Sequence, residues 1–198
     1  MIATVIIAHP YEKSFNHAIY NKIIQTLESN HIQTYSHDLY KERFNPLLTK
    51  DELGKKPTKD RKVRKYTREL LASDLLIFIH PNWWGQPPAI LKGYIDRVIR
   101  SPHAYDFDEN DSGGGIPTGK LGAKIGMVFN TSNTEETREM SYFHDPLRFT
   151  WDKCVFGFCG ITKTHRNVYR IVSDSTEQER SEWLHDVENT MLRILTGE

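Results

Sequence analysis

Several things are scarce in this sequence, and each scarcity excludes something. Of 198 residues only two are cysteine, Cys154 and Cys159. Two cysteines cannot staple a disulfide-rich scaffold. With no second Cys/His group at zinc spacing, they read as reduced core thiols. No apolar run approaches the ~18 residues of a membrane-spanning helix. No charge dominates either: Lys+Arg and Asp+Glu both number 26, for a formal net charge of zero. That balance argues against a dedicated nucleic-acid binder or a polybasic membrane protein. It also differs from the acidic surface of an electron carrier that steers its partners by charge. Met1 runs straight into a β-type apolar run without a basic leader, so no secretory signal is expected. A cytoplasmic protein of one domain, residues 1–198, is the expectation.

Familiar catalytic patterns are missing too. No H-E-x-x-H, no G-x-S-x-G and no paired metal-binding histidines occur among the nine His, so neither hydrolytic nor zinc chemistry is supported and no metal is expected. "GGIPTGKL" (114–121) imitates a phosphate-binding Walker loop. However, Leu121 stands where Ser or Thr must hold magnesium, and the segment precedes a strand instead of following one. Its Gly113-Gly114-Gly115 run reads as a mobile loop, a candidate lid.

What is present is a repeated alternation of strand and helix. "IATVIIA" (2–8), "DLLIFIH" (74–80) and "AKIGMVFN" (123–130) are continuous apolar runs of the kind that form strands buried on both faces. "IQTYSHDL" (32–39) alternates like a strand nearer an edge, and "TKTHRNVYRIV" (162–172) is a fifth strand. Helical spacing marks 14–30, about 60–72, the segment after Pro87-Pro88, about 145–158, and 176–195. Residues 101–119 and 131–144 read as loops. Five βα units predict an α/β fold: a flavodoxin-like three-layer sandwich with a parallel sheet in order 2-1-3-4-5 and helices on both faces, with the Rossmann order as the alternative.

Such sheets bind ligands beyond the carboxyl ends of their strands. Here those ends are "HPYEKSFN" (9–16), "HPNWWG" (80–85) and "NTSNTE" (130–135). The first opens a helix whose free N–H groups suit a phosphate, with His9, Ser14 and Asn16 as further partners. The second sets two tryptophans in a turn. The third offers short hydrogen-bonding groups. Together they describe a phosphate anchor, an aromatic wall and an amide rim, which fits a phosphorylated planar ligand such as a flavin. The basic run at 55–68, with eight Lys/Arg and one Asp, reads as a solvated helix face.

The segments "IIAHP…SFN", "HPNWWGQPPAILKGYIDRV", "AYDF", "GKLGAKIGMVFNTSNTE" and "FCGI" resemble the flavodoxin-like NAD(P)H:quinone oxidoreductases. That family includes DT-diaphorase, bacterial drug-activity modulators and ancillary oxidoreductases of potassium-efflux systems. The resemblance runs from Met1 to about Ile161. It implies that His9, Ser14, Phe15 and Asn16 hold the flavin phosphate and ribityl chain. Pro81, Asn82, Trp83, Trp84 and Gly85 would line the isoalloxazine, and Asn130, Thr131, Ser132 and Asn133 would meet its pyrimidine end. Tyr142 and His144 are the nearest counterparts of the family's catalytic Tyr and His.

The resemblance further implies two-electron reduction of quinones by NAD(P)H in a ping-pong cycle, in a homodimer that shares its active sites. FMN is the expected cofactor, with FAD as the alternative, because no adenine-binding element is evident. Three other functions fit the same residues: a redox-sensing subunit of a membrane ion-efflux transporter, a one-electron flavodoxin, and a nitro- or azo-compound reductase.

Overall fold

The computed structural model describes residues 1–197. Its centre is a five-stranded parallel sheet built from β1 (Ile2–Ile7), β2 (Gln33–Asp38), β3 (Leu75–Pro81), β6 (Ile125–Ser132) and β7 (Lys163–Arg170). β4 (Tyr105–Asp106) and β5 (Thr118–Gly119) form a separate antiparallel hairpin. The sheet order is β2-β1-β3-β6-β7. Counting sheet strands alone, this is the expected 2-1-3-4-5.

The strands alternate between two cores, one on each face. On one face Val5, Ile7, Ile77, Ile79, Met127 and Phe129 pack against α1 (Phe15–Ser29) and α6 (Glu177–Thr196). On the other, Ile6, Phe78 and Val128 pack against α2 (Arg61–Ala72), α3 (Ala89–Val98) and the helical segment 146–159. That segment begins as α5 (Pro146–Phe149), widens into π-helical turns at Thr150–Phe156 and closes as a short 3-10 turn at Gly157–Cys159.

Several local expectations shift. β6 starts and ends two residues later than its apolar run. Backbone pairing carries it through polar Asn130, Thr131 and Ser132, which lie opposite Val168, Tyr169 and Arg170 of β7. Pro87 and Pro88 precede α3, with Pro88 as its N-cap. The expected loop at 131–144 contains a helical turn, α4 (Glu136–Arg138), that widens into a π-helical Glu139–Phe143. Cys154 is exposed and so is not a core thiol, whereas burial raises the Cys159 thiol to about 12. The Gly113–Gly115 run sits in the β4–β5 connection, where the Asp111 carboxylate accepts from the Gly113 and Gly115 N–H groups. It lines no part of the main cleft.

Candidate active site

The chain reverses direction across the sheet between β1 and β3, so the loops after these strands part and leave a crevice. A cleft of about 650 Å³ lies there, within the usual range for a small-molecule site. His9, Ser14, Phe15 and Asn16 form one end. Pro81 to Gly85 form the middle, and Thr131, Ser132 and Asn133 the far side.

The α1 end gathers several hydrogen-bonding groups at the cleft. Ser14 caps the helix, its Oγ accepting from the His17 N–H at 3.3 Å. The N–H groups of Phe15 and Asn16 have no carbonyl four residues back to bond, and the first turn contains no acidic residue to occupy them. Behind Ser14 stands a relay: its Oγ lies 3.0 Å from His17 Nδ1, and His17 Nε2 lies 3.0 Å from Asp38 Oδ2 at the end of β2. Asn16 is only 3% exposed, and its Nδ2 donates to Thr131 Oγ1 at 2.9 Å. Its Oδ1 is buried with no partner among the described residues. A buried acceptor in that condition costs about 1–3 kcal/mol, which a ligand donor would remove. The His9 ring is half-buried beside Trp83, at 6.0 Å between centroids. Burial lowers its pKa, with the Tyr11 backbone opposing.

The Trp-Trp stretch is a two-residue hairpin turn. Trp83 N–H donates to the Gln86 carbonyl at 3.1 Å, and Gln86 N–H to the Trp83 carbonyl at 3.0 Å. The two residues between have positive φ, Trp84 at +57° and Gly85 at +70°. Two positive φ values define a type I′ turn, which ordinarily takes Asn-Gly or Gly-Gly. A tryptophan in the left-handed region is strained, and such strain gathers at functional sites. The turn leaves Trp84 fully exposed at the cleft (101%), with Trp83 at 40%. Asn82 steadies it: its Oδ1 accepts from the Gly85 N–H at 2.9 Å, and its Nδ2 donates to Glu139 Oε1 at 3.3 Å.

A polar network supports the floor. On β3, His80 is fully buried, and burial drives its pKa down to about 3. The Trp151 indole N–H donates to His80 Nε2 at 3.0 Å, so the ring carries its proton on Nδ1 and donates it to the Pro81 carbonyl at 2.9 Å. Asn130 Nδ2 lies 2.9 Å from the same Nε2, and Arg166 donates to Asn130 Oδ1 at 2.6 Å and to Asp145 Oδ2 at 2.6 Å. Asp145 caps α5 immediately before Pro146, which lines the cleft. β3, β6, β7 and α5 are thereby tied into one frame beneath the site.

Residues 1–191 match the family described as Flavodoxin-like fold. A Haemophilus influenzae protein described as an uncharacterized NAD(P)H oxidoreductase is 33% identical over 162 residues, covering 79% of this chain and 77% of that protein. This chain belongs to the flavodoxin-like family of NAD(P)H oxidoreductases. Two solved structures share its fold. The NAD(P)H:quinone oxidoreductase from Methanothermobacter marburgensis superposes with a TM-score of 0.83 at 21% identity, over 96% of this chain and 97% of that one. An FMN-dependent NADH-azoreductase from Bacillus anthracis, solved with FMN, does so with a TM-score of 0.74 at 18% identity, over 98% and 99%.

Within this family fold, the cleft gathers twelve of the thirteen residues expected to meet a cofactor. The exception is Asn130. Strand alternation turns its side chain to the opposite face of β6 from Thr131, where it is fully buried against His80 and Arg166. Tyr142 and His144 do not line the cleft. His144 and Asp145 both take left-handed backbone, at φ +58° and +44°, and the chain turns sharply there. Tyr142 is left 77% exposed with its ring against Phe143. Phe143, Pro146 and the buried carboxylate of Glu139 face the cleft instead, joined by Thr134, Val172 and Ser173. The spacing of "NTEETREMSYFHDP" gives no helical or alternating signal, because the segment winds through α4 and π-helical turns. Val172 and Ser173 are brought in by a contact 40 residues apart, the Ser173 N–H donating to Asn133 Oδ1 at 3.0 Å.

Among the described residues no cluster of three or more His, Cys, Asp or Glu could hold a metal. Among the same described residues, no helix is long and apolar enough to cross a membrane.

Proposed function

We propose that this chain binds FMN in the 650 Å³ cleft and reduces quinones with NAD(P)H, two electrons at a time. The observation that carries this is the composition of the α1 end. Open helix N–H groups, the Ser14 hydroxyl and the buried, partnerless Asn16 Oδ1 converge on one spot beside an aromatic turn. That set suits a phosphate joined to a hydroxylated chain and a flat ring. The FMN-bearing azoreductase and the quinone oxidoreductase of the same fold lend support.

When bound, a flavin supplies hydride chemistry, accepting from NAD(P)H and passing two electrons to a quinone in alternate halves of a ping-pong cycle. The chain supplies the rest. Ser14, Phe15 and Asn16 anchor the phosphate and sugar-alcohol chain. The backbone of Pro81 to Gly85 sets the edge of the ring, and Gly85 allows close approach. Thr131, Ser132 and Asn133 present hydroxyl and amide groups that can stabilise developing negative charge. The titratable side chains at the cleft are His9 and Glu139, so these replace Tyr142 and His144 as candidates for holding the proton a reduced quinone needs.

Trp84, Tyr142, Phe143 and Phe149 are large exposed apolar side chains, Trp84 and Phe143 line the cleft, and exposed apolar surface of this kind marks a protein contact. We assign it to a second copy of the chain, closing the cleft in a homodimer.

The test is direct. Flavin released from the purified chain is identified by chromatography, and the reconstituted protein is assayed for NADH and NADPH oxidation with a benzoquinone. Yellow protein, FMN release and quinone-dependent turnover are expected. A colourless protein that refuses added flavin sinks the proposal. Sedimentation velocity reads the dimer.

A further inference from the structure

We propose that His17, backed by Asp38, directs the hydrogen of the Ser14 hydroxyl and so makes Ser14 a proton-controlled donor to the flavin phosphate. This rests on the flavin reading above and adds a positioning residue to it.

Two independent observations lead to it. The first is that α1 opens on the cleft, where the 3%-exposed Asn16 keeps a buried oxygen without a partner among the described residues. The second is the relay at the cap. Asp38 is a carboxylate and can only accept, so His17 Nε2, 3.0 Å from its Oδ2, must carry a hydrogen. The hydrogen on the other nitrogen then decides what Ser14 does.

When His17 is neutral, Nδ1 is a bare lone pair 3.0 Å from Ser14 Oγ. The hydroxyl hydrogen is drawn to it. Ser14 then turns an oxygen lone pair to the cleft, which repels an anion. When His17 is protonated, Nδ1–H donates to Ser14 Oγ instead. The Oγ already accepts from the His17 backbone N–H at 3.3 Å. Both of its lone pairs are now engaged, and its own O–H is left to point outward as a donor. One proton on His17 therefore converts Ser14 from acceptor to donor, and phosphate binding and proton uptake favour each other. Asp38 holds its place in this relay because its Oδ1 accepts the backbone N–H groups of Tyr40 and Lys41, at 3.0 and 3.1 Å. His9 stands 6.3 Å from His17 between ring centroids, Tyr20 lies one turn along α1, Lys13 directly precedes the N-cap Ser14, and Lys41 follows Asp38 on the β2 side.

The consequence is selectivity that varies with pH. FMN carries the phosphate and riboflavin does not, so only FMN should feel the relay. Affinities for both are measured by quenching of flavin fluorescence, with the full chain stripped of flavin, at pH 6 and pH 8. A phosphate titrates near pH 6 itself, and His9 is close by, so the decisive comparison is wild type against His17→Gln, which keeps both. At pH 6 His17→Gln is expected to weaken FMN about tenfold, the size of a hydrogen bond to a charged group, and Asp38→Asn to act in the same direction. The gap between the variants and wild type should narrow at the higher pH, where less of His17 carries the second proton. Riboflavin should bind all three proteins equally at both pH values, which also shows that the site is folded.

If FMN exceeds riboflavin by the same ratio in wild type and His17→Gln at both pH values, the relay is overturned and the flavin site stands. If neither flavin binds wild type, the flavin reading itself falls and the relay with it. Loss of riboflavin binding in His17→Gln would indicate a structural role for His17. The wild-type FMN-to-riboflavin ratio, flat between pH 6 and pH 8 after correction for the phosphate, would then overturn the proposal.

Discussion

Pro146 packs so closely on Gly85 that a Cβ placed on Gly85 would stand 2.7 Å from the Pro146 Cγ atom. This contact joins the Trp-Trp turn after β3 to the start of α5, the two walls of the cleft. Gly85 also sits at φ +70°, which a side chain tolerates poorly. Gly85→Ala should therefore cost about 1–3 kcal/mol, combining left-handed strain with displacement of Pro146. Urea unfolding measures it. An unchanged midpoint would mean that Pro146 yields freely and the two walls are not coupled.

Trp84 should behave in the opposite way. Its side chain is fully exposed and its backbone is left-handed, so it contributes strain and little burial. Trp84→Asn suits a type I′ turn and should stabilise the isolated chain by about 0.5–1 kcal/mol. If the ring covers a cofactor or a second copy, the same change should weaken FMN binding or dimerisation. Gain of stability with loss of binding is the expected pair. A variant that is less stable and binds normally would refute the idea that Trp84 is retained for function.

How far the sequence foretold this depended on what each signal measured. Strands buried on both faces leave long apolar runs, so β1, β3 and β6 and the order of the sheet were legible. Most of the short polar groups after those strands line the cleft, because strand ends and helix starts are local events. Signals failed where placement is tertiary. Asn130 groups with its neighbours in the sequence, yet pleating turns it to the other face. Cys154 reads as a core thiol in the sequence, yet it lies exposed within the π-helical turns at Thr150–Phe156. Glu139 lay in a stretch without periodicity and gave no warning that its carboxylate would be buried at the site.

Acid stability should report on Glu52 and Arg97. Both side chains are buried, and Arg97 donates to Glu52 at 2.8 Å and to Asp60 at 3.0 Å, pinning the long connection after β2 onto α3. Burial alone would raise the Glu52 carboxyl, but the Arg97 guanidinium and the Thr49 and Thr58 groups outweigh it and hold it at about 2. The folded pKa is thus below the ordinary 4.5. The stabilisation is present above that value and is lost as pH falls from it towards 2, amounting to about 3 kcal/mol. Arg97→Met leaves a buried carboxylate unpaired and should cost about 3–5 kcal/mol at pH 7. A variant as stable as wild type at pH 7, with the same acid limb, would show that the pair contributes nothing.

Glu139 offers the sharpest separation of electron from proton transfer. Its carboxylate is 3% exposed, lines the cleft and takes its hydrogen bond from Asn82, the same residue that holds the Gly85 N–H. Reducing a quinone to a hydroquinone adds two electrons and two protons, one arriving with the hydride and one from elsewhere. Ferricyanide takes an electron and no proton. If Glu139 relays the second proton, taking it up from solvent as a carboxylic acid and returning to the carboxylate as it passes the proton on, Glu139→Gln should lower quinone turnover about 10²-fold, within the range for loss of a positioned acid. Ferricyanide reduction and FMN affinity should be unchanged, because Gln keeps the shape and can still accept from Asn82. Equal loss with both acceptors would indicate damage to the NAD(P)H half-reaction or to flavin placement. Full quinone activity in Glu139→Gln would pass the proton to His9, the other titratable side chain at the cleft, and His9→Gln would then show the acceptor-selective loss.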